Sequence, residues 1–130
     1  MKFTKITFVA IFFLLPFSNF AQHAVNFQNG YTTVFFSHQL NFDDLSKMKK
    51  ELSEKGINLS YDYLKFTKDG KLSGIEYHVT SGKVSAADKS EDLDKEIGFI
   101  INNDPKGKYG IIAGEKESIL KMRIEKEKKN

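Results

Sequence analysis

From Thr32 to Leu40, apolar and polar positions alternate. Val34, Phe36 and Leu40 fall on one face, and Thr33, Ser37 and Gln39 on the other. This period of two predicts a half-buried strand. Phe35 breaks the alternation, so both faces of that strand are expected to be partly covered. At Asn41 the period lengthens. Phe42, Leu45, Met48, Lys49 and Leu52 recur at helical spacing, with Lys49 as the flaw in the stripe. Lys47, Lys50, Glu51 and Glu54 lie mostly off it. Asn41 suits the N-cap, because its side-chain oxygen can accept from a free amide of the first turn. Asp43 and Asp44 follow where negative charge favours the helix dipole. Lys55-Gly56 closes the helix, with Gly56 able to take the left-handed cap conformation.

Ile57 to Phe66 reads as a second strand, rich in tyrosine and leucine. Thr67-Lys68-Asp69-Gly70-Lys71 is a hairpin signal, since Asp-Gly tolerates the positive φ of tight turns. Leu72 to Thr80 is a third strand, with Ile75, Tyr77 and Val79 on one face. Ser81-Gly82-Lys83 is another turn, and Val84 to Ala87 a short fourth strand. Asp88 to Lys95 is acidic and loop-like. Ile97 to Asn102 and Tyr109 to Ala113 are apolar runs around Asn103-Asp104-Pro105-Lys106-Gly107, as in a final hairpin. No internal repeat occurs. The expected class is α+β: one main helix packed on a mainly antiparallel sheet, β-α-β-β plus a C-terminal hairpin, which buries both apolar faces in the simplest way.

The N-terminal pattern is different. Lys2 and Lys5 precede a nearly unbroken apolar run from Ile6 to Phe17, and Ser18-Asn19-Phe20-Ala21 gives a more polar exit ending in a small residue. This is the tripartite pattern of a secretory signal peptide. The run falls short of the ~20 apolar residues of a membrane span. Cleavage is expected after Ala21, with a cut after Ala24 or an uncleaved anchor as alternatives. The expected organisation is a signal peptide over 1–21, a lead-in over 22–30, a single α+β domain over 31–114, and a charged tail, a frayed helix or disordered, over 115–130. In that tail Ile119, Leu120 and Ile124 give a weak amphipathic pattern.

The sequence contains no cysteine. That excludes the acylated cysteine of a lipoprotein and any disulfide, although an exported setting permits disulfides. The fold must rest on its hydrophobic core, near the size at which one core suffices. The formal charge is +3, but Lys2 and Lys5 leave with the signal and the remaining excess sits in the tail. A nucleic-acid partner, which calls for a basic stripe on a folded face, is therefore not expected. The membrane is expected as a partner only through the signal peptide, before cleavage.

The segment Phe42-Asp43-Asp44-Leu45-Ser46-Lys47-Met48-Lys49-Lys50-Glu51-Leu52-Ser53-Glu54-Lys55-Gly56-Ile57 resembles a recurring one in small exported proteins of Bacteroidota. There it follows a short strand and precedes a Tyr-rich or Asn-rich strand. A hairpin with an Asp-Gly turn follows, as at Asp69-Gly70, then a strand like Ile75-Glu76-Tyr77-His78-Val79. The unit is similar to the β-α-β-β domain appended to membrane metallopeptidases of the beta-lactam-sensor type. Phe20-Ala21-Gln22 fits the signal ending of the same group. The match covers roughly residues 32–102. It implies a β-α-β-β unit and an envelope setting. It carries over no active site, because the zinc site of those peptidases lies in the membrane part and no His-Glu-x-x-His occurs here.

Other candidate chemistry is sparse. The three histidines are His23, His38 and His78. A metal site needs several such ligands to converge, whereas His38 shares a phase with Phe36 and Leu40 and is expected to be packed. His78 opposes Ile75, Tyr77 and Val79 and is expected to be exposed. Asp88, Glu91, Asp92, Asp94 and Glu96 offer oxygens for calcium, but Asp92-x-Asp94-x-Glu96 lacks the loop glycine. Asn102-x-Asp104-x-Lys106-Gly107 places a lysine where a ligand belongs. Ser46-x-x-Lys49 and Ser118-x-x-Lys121 match a serine-lysine spacing without its companion motifs. No nucleophile elbow, phosphate loop or dinucleotide fingerprint occurs, and Asn58-Leu59-Ser60 is a formal sequon that opens a strand. No cofactor, metal or catalytic residue is expected.

Aromatic residues are the better surface candidates. Tyr61 and Tyr63 are expected to share a face of the second strand, and Tyr31 and Phe35 lie off the main apolar face of the first. Tyrosine suits interfaces because it joins apolar area to a polar tip. The alternative is that the C-terminal hairpin or tail covers them. The expected function is a non-catalytic exported module, periplasmic or secreted, that contacts another envelope or secreted protein through these rings or an exposed strand edge. A small regulator or inhibitor of an envelope enzyme, using a loop such as Asn102 to Lys108, is the second expectation. A small hydrolase or ligand-binding protein is the third.

Overall fold

A computed structural model describes residues 24–103 and 110–129. The expected signal peptide and His23 lie outside the described residues, and so does most of the Asn102–Lys108 loop. The chain order is β1 (Val25–Gln28), β2 (Tyr31–Phe36), α1 (Phe42–Glu54), β3 (Ile57–Phe66), β4 (Leu72–Ser81), β5 (Val84–Ser90), β6 (Ile97–Asn102), β7 (Ile111–Glu115) and α2 (Lys116–Lys129). Helices and antiparallel strands combine as an α+β fold, but the strands divide between two sheets. One has the order β1-β2-β6-β7 and the other β3-β4-β5, and every neighbouring pair is antiparallel.

The division follows from the apolar faces. Val34 and Phe36 of β2 and Ile97, Phe99 and Ile101 of β6 join Leu59, Ile75, Tyr77 and Val79 of the other sheet in one buried cluster. Phe36 stacks against Tyr77 with ring centroids 4.9 Å apart, and Phe99 lies 5.7 Å from Tyr77. Two sheets facing each other bury both sets of alternating residues, each large side chain contributing ~1.5–3 kcal/mol.

α1 lies along β3 and closes the same core with Leu45, Met48 and Leu52. Its start is a capping box. The Asp44 amide donates to Asn41 Oδ1 at 2.8 Å, and the Asn41 amide donates to Asp44 Oδ2 at 3.0 Å. Asp44 is therefore buried as a structural group and does more than complement the dipole. Gly56, at φ +78°, turns the chain into β3. Phe42, assigned to the buried stripe by its spacing, is instead 60% exposed. It occupies the first helical position, before the stripe has turned onto the core.

Three further expectations are corrected, and the tail takes one of the forms expected of it. The lead-in contains β1, which pairs with β2 through the two-residue turn Asn29-Gly30, both at positive φ. Such a turn matches the twist of the flanking strands. The first strand ends at Phe36, because Ser37 to Leu40 form a turn closed by the Leu40 amide on the Ser37 carbonyl. β5 continues to Ser90 because its residues pair along β4 as far as Ile75↔Ser90, which carries the strand into the acidic stretch. The tail begins as the end of β7 and continues as α2, whose Ile119 is buried with Tyr31 and Ile100.

Candidate functional site

The four aromatic residues expected to form a surface do not come together. Tyr31 is buried and Phe35 half-buried, both beneath α2 on the outer side of the four-stranded sheet. Tyr61 turns inward, packs against the core, and donates its hydroxyl to the Leu45 carbonyl at 2.8 Å. Burial pushes its phenol well above the ordinary tyrosine range. Tyr63 alone of the four is open, at 53% exposure.

A β-bulge separates the two tyrosines of β3. Tyr61 pairs with Tyr77 and Tyr63 with the next residue of β4, Glu76, so Asp62 is an extra residue in β3. One inserted residue reverses the alternation. Upstream of it Ile57, Leu59 and Tyr61 face the core; downstream Leu64 and Phe66 do. Tyr63 is thereby placed on the opposite side, with the polar residues of β4 and β5.

That outer side of β3-β4-β5 is the candidate site. Cross-strand register sets Tyr63, Glu76 and Lys89 in one row, and Ser60, His78 and Ala87 in another. The bulged Asp62 faces His78, whose Nδ1 lies 2.9 Å from Oδ2 and 3.1 Å from Oδ1. The carboxylate accepts, so this nitrogen carries the proton and the ring is held in one orientation. Both side chains are nearly half exposed, and such a pair contributes ~0–1 kcal/mol. Tyr63, Lys65, Glu76, Lys89 and Glu91 border a shallow trough of about 270 Å³. A phenol ring set among two acids and two amines offers apolar area, donors and acceptors along one trough, the composition of a protein contact surface.

The remaining candidates do not converge. His38 is exposed and donates from Nδ1 to the Leu72 carbonyl at 2.9 Å. It was expected to be packed, but β2 has already ended and its phase no longer governs the side chain. His38 and His78 belong to different parts of the fold, and among the described residues no group of three His, Asp or Glu side chains could hold a metal ion. The acidic stretch is engaged elsewhere: Glu96 accepts from Lys116 Nζ at 3.3 Å. The Asp92 carboxylate accepts from the Asp94 amide at 3.0 Å. Among the described residues no helix is long and apolar enough to cross a membrane. Compared with known proteins, the chain matches no family model, no curated sequence and no solved structure.

Sequence reasoning missed the Asp62–His78 pair. Nothing in the local pattern marks the bulge, because Ser60-Tyr61-Asp62-Tyr63 reads as plain alternation. The signal lay further along the same strand, in Leu64 and Phe66, which are apolar in the wrong phase for Leu59 and Tyr61.

Proposed function

We propose that the protein is an exported, non-catalytic module of the bacterial envelope that binds another envelope or secreted protein through the open face around Tyr63. The observation that carries this reading is the position of Tyr63: an exposed ring, on the uncovered side of a three-stranded sheet, flanked by Glu76 and Lys89. Aromatic anchors ringed by polar groups dominate the energetics of protein contacts. The export half of the proposal rests on the basic, apolar and small-residue pattern of residues 1–21, with the mature chain starting at Gln22 and residing in the periplasm or the medium. The likeness of residues 32–102 to domains appended to beta-lactam-sensor-type metallopeptidases supports the same setting.

The test is in-cell crosslinking of tagged full-length protein, with mass spectrometry of the captured proteins and of the mature N-terminus. A single enriched envelope protein, lost with Tyr63→Ala and kept with Tyr61→Phe, is the expected result. A folded and abundant protein that captures nothing specific would defeat the reading.

A further inference from the structure

The outer side of the four-stranded sheet is apolar, and a helix that is itself mostly polar covers it. Tyr31, Ile100 and Ile119 are buried together, with Phe35 and Ile112 packed against them. Among the side chains of α2 described, Ile119 alone is fully buried; Leu120, Met122 and Arg123 are half-covered and Ile124 is 52% exposed. Among the described side chains of the helix, the contacts with the sheet run along one stripe. Lys116 Nζ lies 5.3 Å from the centre of the Phe35 ring, and the Arg123 guanidinium 5.6 Å from that of Tyr31. Ile119 sits between them. Arg123 Nη1 also reaches Thr33 Oγ1 at 3.5 Å, and Lys116 reaches the Glu96 carboxylate.

These attachments are weak compared with the inner core. The cation–ring pairs involve half-covered cations, and they and the Lys116–Glu96 ion pair each contribute on the order of 1 kcal/mol. A helix of 14 residues is marginal on its own in water. Elements that bury few apolar side chains open at a fraction of the global cost. When α2 leaves, it uncovers a continuous patch of two aromatic and two aliphatic side chains on β2, β6 and β7. Large exposed apolar patches are contact sites, and the helix already seated there defines the chemistry of an occupant.

We propose that this sheet face is a helix-binding seat which α2 occupies as a displaceable cover, and that the partner it fits is a helix carrying a cation, an aliphatic residue three positions on, and a second cation four positions beyond that. The proposal rests on the reading of the chain as a binding module. The two cations of the partner would take the positions of Lys116 and Arg123 over Phe35 and Tyr31, and the aliphatic residue that of Ile119. Partner affinity is then reduced by the small fraction of chains whose cover is open.

Native-state hydrogen exchange on the full chain, with a labelled peptide of its own residues 116–130 as probe, tests this. Amides from Leu120 to Arg123 should be protected at least ~100-fold less than those of β4, with little dependence on denaturant. The peptide should bind the full chain saturably. Ile119→Ser in the chain should tighten that binding by roughly tenfold as its own cover weakens, and Ile119→Asp in the peptide should abolish it. Exchange of the α2 amides only through global unfolding would overturn the proposal, as would a peptide that fails to bind the Ile119→Ser chain. Dimers of the full chain that the peptide dissolves would overturn the choice of partner in favour of a second copy. The peptide measurement does not depend on Tyr63, so this seat and the open face fail separately.

Discussion

The phenol of Tyr77 in β4 donates to the carbonyl of Gly98 in β6 at 2.8 Å, joining the two sheets by a hydrogen bond inside the core. Tyr77 is fully buried, so its hydroxyl had to find a partner there. The bond explains why a tyrosine rather than a phenylalanine occupies the centre of this aromatic cluster. Tyr77→Phe should lower stability by about 1–2 kcal/mol, read as a shift in urea midpoint with an unchanged slope.

The other partner is more constrained. A Cβ on Gly98 would meet the Val34 carbonyl oxygen at 1.9 Å and the Phe35 Cα at 2.9 Å, both backbone. Neither can swing aside as a flexible side chain would. Gly98→Ala should therefore cost about 3 kcal/mol, whereas Gly114→Ala, with nothing within 4 Å, should stay within about 0.5 kcal/mol of the parent. Thermal melts of the two variants side by side check the contrast.

At the start of α1, Asn41→Ala removes the acceptor of the Asp44 amide. The expected loss is about 1 kcal/mol. Because Asp44 returns the bond to the Asn41 amide, Asp44→Ala and the double variant should be non-additive, and a double-mutant cycle by denaturant titration measures that coupling.

Alkaline conditions should destabilise the fold. Burial raises the phenols of Tyr61 and Tyr77 far above the ordinary value of 10.0, with the charge of Asp88 adding to the effect at Tyr77. The folded state keeps these protons while the unfolded chain releases them above that value. Stability is thus intact below about pH 10 and falls as pH rises beyond it. Urea midpoints measured across this range should decline, and the decline should be shallower in Tyr61→Phe and Tyr77→Phe.

Tyr63→Ala should leave stability within about 0.5 kcal/mol of the parent, as expected of a half-exposed side chain outside the core. Circular dichroism melts establish this, and they make any loss of capture by that variant a statement about contact rather than folding.

The elements that were legible in the sequence are those decided by neighbours in the chain. α1 announced itself through Asn41, the stripe of Leu45, Met48 and Leu52, and Gly56, and all act within a few residues of one another. The β3–β4 hairpin did so through Asp69-Gly70. Asn29-Gly30 carries an equally local turn signal, but its flanking strand of four residues is too short to show a period. What stayed hidden depends on distant pairing. Val34 and Val79 are equally apolar, and no local pattern says that they belong to different sheets. The bulge at Asp62, which decides that Tyr63 faces outward while Tyr61 does not, is a property of the register with β4. The covering of Tyr31 and Phe35 depends on a charged segment at the other end of the chain.

The pairing of β2 with β6 has a consequence for folding kinetics. Val34 lies opposite Phe99, and α1 with the whole β3-β4-β5 meander lies between them in sequence. The meander forms from adjacent strands and closes only short loops, while the four-stranded sheet must wait until residues near 100 can reach back to those near 34. Closing that long loop costs entropy before any contact repays it. Folding followed by stopped-flow should therefore be slowed by core truncations in the meander, such as Val79→Ala, if it forms first. The same change at Phe99 should act mainly by speeding unfolding. Until β6 has been delivered, β2 has only β1 as a hydrogen-bonded neighbour in its sheet, so the four-stranded layer is completed only once residues near 100 are in place.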